Sequence, residues 1–127
     1  MSTTQGATFD TGMLIALERR RQRAWAIYRR LRERHAPATI PAPVLGEWWR
    51  GRTDVRDAIC LSCHVEPLTA AIARLAGEAL VAVPGAETID AFVMASASLR
   101  GDIVFTSDFE DLEKLRRYFP GVRVLRV

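Results

Sequence analysis

Five short strand-like segments, each followed or preceded by a stretch with helical period, constrain this chain more than any single residue does. Residues 7–9, 38–40, 63–66, 103–106 and 122–125 read as strands. Between them lie helical residues 11–17, a basic helix, a helix opened by Pro43 and stopped at Gly51, and a short helix near Thr53 to Ile59. A helix from Thr69 follows, with Ile72, Leu75, Ala76, Ala79, Leu80 and Val83 on one face. The last two helices span about 86–99, ending at Gly101, and 109–118, ending at the Pro120-Gly121 turn. Such alternation predicts an α/β fold with a parallel sheet covered on both faces. In sheets of that kind ligands bind beyond the carboxyl ends of the strands, where strand order reverses.

A chain of 127 residues, 49% of them hydrophobic, suits a single domain over residues 1–127 with one real core. No apolar run reaches the ~18 residues needed to cross a bilayer, and Met1 to Gly6 is polar, without signal-peptide features. Cys60 and Cys63 are the only cysteines, which suits free thiols in a reducing compartment, so a cytoplasmic protein is expected. The string Cys60-Leu61-Ser62-Cys63-His64 formally matches covalent haem attachment, but that belongs to exported proteins and the tail of the string reads as the start of a buried strand; a thioredoxin-like dithiol would sit at a strand-to-helix turn, whereas the order here is helix to strand. Zinc would need two more ligands, and His35 is the only other histidine. Buried free cysteines are the expected outcome.

Four carboxylates stand where a core tolerates charge only with compensation: Asp10, Glu47, Asp90 and Asp108. Asp10 directly follows the first strand and Asp108 closely follows the fourth. If those strands are neighbours, both acids project into one cleft, with the helices bearing Glu47 and Asp90 as its walls. Glu87, three residues before Asp90, shares its face. Acids from distant segments suggest a divalent cation bound by oxygen ligands. Each also has a plain structural use: Asp10 and Asp108 suit helix N-caps, with Asp111 a first-turn acid, and Glu87 suits solvent. Glu47 in mid-helix and Asp90 among apolar neighbours are harder to assign that way. Thr106 is placed to hydrogen-bond a carboxylate or a phosphate.

The net charge of +3 conceals an asymmetry, because the chain holds seventeen arginines and one lysine, Lys114. Eight of those arginines against two glutamates fall between Glu18 and His35, a local charge of +6 that leaves −3 for the rest. A basic arm on a mildly acidic domain attracts polyanions. It also fits a solvated helix face, since Ala24, Ile27, Tyr28 and Leu31 supply an apolar stripe without any ligand. Arg19, Arg20 and Arg21, with Trp48 and Trp49, are candidate contacts for RNA or a protein partner; at least one tryptophan is expected in the core. There is no G-x-S-x-G elbow, no glycine-rich phosphate loop and no paired-histidine arrangement of the metal-independent ribonucleases.

Four blocks in order carry a resemblance: Phe9-Asp10-Thr11-Gly12-Met13-Leu14, Pro41-Ala42-Pro43-Val44-Leu45-Gly46-Glu47, Ile89-Asp90-Ala91 and Thr106-Ser107-Asp108-Phe109. Together they resemble the PIN-domain ribonucleases, and more narrowly the VapC-type toxins of bacterial toxin–antitoxin pairs, over essentially the whole chain. Where many relatives carry Asp three residues before the third acid, this chain has Glu87. The resemblance implies a three-layer α/β/α fold with a five-stranded parallel sheet in the order 3-2-1-4-5. It implies an Mg²⁺- or Mn²⁺-dependent endoribonuclease with Asp10, Asp90, Asp108 and Glu47 at the metal and Thr106 beside them. It also implies an RNA substrate, a VapB-type antitoxin, and homodimeric and toxin–antitoxin assemblies. A non-catalytic module that keeps the fold and binds RNA or protein is the alternative.

Overall fold

Strands β1 (Ala7–Phe9), β2 (Ala38–Pro41), β3 (His64–Glu66), β4 (Ile103–Thr106) and β5 (Arg123–Arg126) form one parallel sheet in the order β3-β2-β1-β4-β5. The computed structural model describes residues 4–50 and 54–127; the expected stop at Gly51 and the helix start at Thr53 lie outside the described residues, as does the start of the polar N-terminus. Helices α1 (Thr11–Glu18), α2 (Gln22–Glu33), α3 (Ala42–Trp48), α4 (Asp54–Ser62), α5 (Ala70–Ala82), α6 (Thr88–Arg100) and α7 (Phe109–Leu115) make the connections. The α/β class and the 3-2-1-4-5 order expected from the resemblance are both found. β1 is central and wholly buried, pairing with β2 on one side and β4 on the other.

Local chemistry explains most of the boundaries. Thr69 caps α5 by accepting from Ile72 N–H, and Gly101 ends α6 in the left-handed region at φ 75°, where a side chain would be strained. α7 ends three residues sooner than expected because the N–H groups of Tyr118 and Phe119 both turn back to the Leu115 carbonyl. Val122 is likewise held by the Phe119 carbonyl, so β5 starts one residue later than expected. Phe9, Met13, Leu14, Leu17, Ile40, Met94 and Leu112 fill the core from both faces of the sheet. Of the paired tryptophans, Trp48 is buried at 3% exposure and Trp49 is 49% exposed, its ring stacked on the Arg56 guanidinium.

A polar cluster ties the strands together on the α6 side. The Arg100 guanidinium donates from Nε to Asp102 Oδ2 at 2.9 Å, from one terminal nitrogen to Thr8 Oγ1 at 2.7 Å, and from the other to Glu66. Thr8 in turn donates to Asp102 Oδ2 at 2.9 Å, and Ser96 donates to Glu66. One side chain thus links β1, β3, α6 and the entry to β4. Arg100→Met leaves Asp102, 6% exposed, without its counter-charge, so a loss of about 3–5 kcal/mol is expected in urea unfolding. A loss below about 1 kcal/mol would show that the cluster contributes little.

Candidate functional site

Asp10 sits one residue past β1, buried at 4% exposure, and caps α1 through Oδ1, which accepts from Met13 N–H at 2.8 Å. Its other oxygen accepts from the Thr106 hydroxyl at the end of β4. That same hydroxyl oxygen accepts from the Asp108 N–H at 2.8 Å, so one threonine ties the two strand ends together. Asp108 itself is exposed and its side chain caps nothing in α7, which removes the plain structural use for it. Asp10, by contrast, serves as a cap and faces the cleft as well.

Gly12 makes this closeness possible. A Cβ there would lie 2.3 Å from Ser107 Oγ and 3.0 Å from Ser107 N, so the loop after β4 rests on the first turn of α1. Gly12→Ala is expected to cost about 1–3 kcal/mol in thermal unfolding. Adding Ser107→Ala removes the nearer clash and should recover part of that loss; no recovery would place the strain elsewhere.

The walls come from four helices, α1, α3, α6 and α7. Asp10, Glu47, Glu87, Asp90, Asp108 and Asp111 line one cleft of about 450 Å³ at the carboxyl ends of β1 and β4, where strand order reverses. Glu47 lies in the last turn of α3 rather than in mid-helix, because the helix ends at Trp48. An acid at a helix C-terminus opposes the macrodipole. It is held there by the Thr11 hydroxyl, which donates to its Oε1. Asp90 is in the first turn of α6, since that helix begins at Thr88, two residues later than expected. That placement favours its charge, yet the surroundings outweigh it.

Burial pushes Asp90 up to about 7, reinforced by repulsion from Asp10, Asp111, Asp108 and Glu87. Burial likewise pushes Asp10 up to about 6; hydrogen bonds from Thr106 and Met13 oppose the rise, while Asp108 and Glu47 add repulsion. Among the described residues no basic side chain lines the cleft. Two carboxyls that hold protons near neutrality for want of a positive charge are the donor set a divalent cation displaces protons from. Among the described residues no three or more His, Cys, Asp or Glu side chains are grouped so that together they could hold a metal ion. Mg²⁺ takes one or two direct carboxylates and keeps several waters in its shell, so the hard oxygens around this open cleft fit such an ion without a three-ligand group.

The sequence candidates therefore separate. Asp10, Glu47, Glu87, Asp90 and Asp108 meet in the cleft with Thr106 directly beneath Asp10. Trp48 packs in the core, and Trp49, Arg19, Arg20 and Arg21 do not line the cleft. Asp111 lines it, although the sequence suggested only a first-turn acid; its spacing of three from Asp108 was the available signal. Thr11 as the partner of Glu47 had no sequence signal. Cys60 and Cys63 are free but half-buried rather than buried, and both thiols are pushed up, Cys63 to about 11, mainly by burial. They are poor nucleophiles in this setting.

The family model described as PIN domain matches residues 7–118. No curated protein is matched by the sequence. Solved structures that share the fold include chains of three complexes. A chain of VapBC2 from Rickettsia felis bound to a promoter DNA fragment is 12% identical, with TM-score 0.76 over 95% of this chain and 98% of that one. A chain of DNA-bound VapBC from Salmonella typhimurium is 14% identical, with TM-score 0.76 over 97% and 98%. A chain of a toxin–antitoxin complex from Klebsiella pneumoniae is 19% identical, with TM-score 0.68 over 94% and 96%.

Proposed function

Since the chain belongs to the PIN-domain family, matched over residues 7–118, we propose that it is a Mg²⁺- or Mn²⁺-dependent endoribonuclease, the toxin of a toxin–antitoxin pair. The observation that carries this reading is the single cleft in which Asp10, Glu47, Asp90 and Asp108 converge without a compensating cation from the protein. Asp10 and Asp108 would be the central carboxylates at the metal, Asp90 would reach it directly or through a water, and Glu47 would stand at its edge. A bound divalent ion supplies a lowered water pKa and neutralises charge on the phosphate and leaving oxygen.

The chain's own residues do the rest. Thr106 fixes the orientation of Asp10 by donating to Oδ2, while Met13 N–H fixes Oδ1, so this carboxylate is pre-set rather than mobile. Thr11 holds Glu47 at the rim, where it can accept a proton from an attacking water. Asp90, pushed up to about 7 in the metal-free chain, has to release its proton to bind a cation at neutral pH. Glu87 and Asp111 extend the acidic wall and keep the phosphate strand from entering without a cation.

A VapB-type antitoxin is the proposed partner, supported by the VapBC and toxin–antitoxin complexes among the structural relatives. Homodimers and toxin–antitoxin hetero-oligomers belong to the same proposal. No helix among the described residues is long and apolar enough to cross a membrane. The direct experiment incubates the purified chain with total RNA and Mn²⁺, with and without EDTA. EDTA-sensitive cuts bearing a 5′-phosphate and a 3′-hydroxyl are expected. A 2′,3′-cyclic phosphate end would refute the metal route, and the absence of cutting would leave a binding module.

A further inference from the structure

The basic arm assembles a surface of its own, at the opposite end of the sheet from the acids. Arg30 and Arg34 at the end of α2 and Arg123 at the start of β5 surround a hollow of about 400 Å³ floored by Leu31 and Phe105. Its rim includes Gln5 and Ile103, each five residues before Asp10 and Asp108 respectively, so the strands set it on the order of 15 Å from the cleft. Along α2 a second hollow is lined by Arg20, Gln22, the half-buried Trp25 and Arg29. Trp25 is fixed by its indole N–H, which donates to the Leu17 carbonyl at 2.9 Å, and by an edge contact with Tyr28. Arg20 keeps a left-handed backbone at φ 56°, a conformation that a side chain disfavours.

Arg20, Arg29, Arg30, Arg34 and Arg123 form no ion pair among the described residues, whereas Arg100, Arg116 and Arg126 do. Uncompensated guanidiniums drawn from two distant segments, with a fixed aromatic ring lining the same hollow as two of them, match phosphates alternating with stacking bases. A stretch of acidic peptide would use the charges but not the ring.

We propose that α2 and the β4–β5 edge form a track for single-stranded RNA, gripping the phosphates of the substrate some 15 Å from the acidic cleft. This rests on RNA being the substrate of that cleft. The track binds the strand without regard to sequence, and the cleft cuts it.

Binding of a fluorescent oligouridylate of about 20 nucleotides, in EDTA, tests the idea against R30Q/R34Q/R123Q, whose three changes are all at exposed positions. Affinity should fall roughly tenfold or more, and the slope of log K against log salt should shrink by about 2, as three phosphate contacts on a single strand require. W25A should weaken binding while leaving the slope unchanged. In Mn²⁺, a two-nucleotide RNA, too short to span the roughly 15 Å to the track, should be cut equally by the triple variant and the wild type. Unchanged affinity and slope would overturn the track and leave the cleavage reading intact. Loss of cutting on the short RNA by the triple variant would overturn it too, by showing an effect on the fold or the cleft. Polyglutamate competing as well as RNA for these arginines would overturn it in favour of an acidic protein partner. A wild-type chain that binds RNA through the arginines but cuts neither length supports the track while refuting the nuclease.

Discussion

Asp10→Asn should reduce EDTA-sensitive RNA cleavage roughly a thousandfold while making the metal-free chain more stable at pH 8. The two effects have one source. Losing the central carboxylate removes several kcal/mol of charge stabilisation at the metal, and ~4 kcal/mol corresponds to three decades in rate. In the folded, metal-free chain the same carboxylate is buried and raised to about 6. From its usual 3.8 that rise costs about 3 kcal/mol above neutral pH. Asparagine is a good N-cap and keeps the acceptor for Met13 N–H, but it forfeits the second acceptor that Thr106 uses. After that loss of about 1 kcal/mol, a rise in melting temperature on the order of 5 °C remains. A variant that is both inactive and destabilised would mean that Asp10 is primarily a structural cap.

Metal-free chain is expected to lose stability as pH rises from about 4 to about 7, the reverse of the usual acid-denaturation profile. Asp10 and Asp90 keep protons in the folded state that the unfolded chain has already released. Folding then takes up protons, so raising the pH through that window works against it, and above about 7 the penalty is fully present. Asp10 contributes up to about 3 kcal/mol; Asp90, partly open to solvent, contributes less than its shift suggests. Saturating Mn²⁺ replaces the protons, so added metal should stabilise most at pH 8, by about 2.7 kcal/mol at a hundredfold excess over Kd. Thermal melts at pH 5 and pH 8, with EDTA and then Mn²⁺, read both effects. The comparison with D10N/D90N isolates these two groups from every other titration. Equal pH slopes for wild type and double variant would refute the account.

Periodicity made the order of elements legible, and with it the placing of Asp10 and Asp108 at neighbouring strand ends. Val104 and the residues beside it announced β4 at its observed limits, since a β-branched run bounded by Gly101 and Ser107 has few other uses. What composition could not place were contacts across the sequence. Thr11 reaches Glu47 thirty-six positions away, and Arg100 reaches Thr8 ninety-two positions away. Both depend on which strands are neighbours. Helix ends moved for local reasons: an early end to α7 by carbonyl sharing, and a late start to α6 that put Asp90 in a first turn. Asp90 therefore owes its perturbation to burial first and to the surrounding carboxylates second. The tryptophan pair split as a seven-residue helix demands, one ring inward and one outward.

The central position of β1 has a further consequence, in the timing of synthesis. β1 pairs with β4 in the register Thr8 to Val104, and Asp10 meets the Thr106 hydroxyl ninety-six positions away. A ribosome adding about 5–20 residues per second therefore exposes the first acid several seconds before the last. Throughout that interval β1 has at most β2 beside it, and no cleft exists. If the cleft cuts RNA as proposed, a nascent chain of this topology leaves intact the messenger and the ribosome that are making it. Its chemistry becomes available only after the fourth strand has emerged and docked.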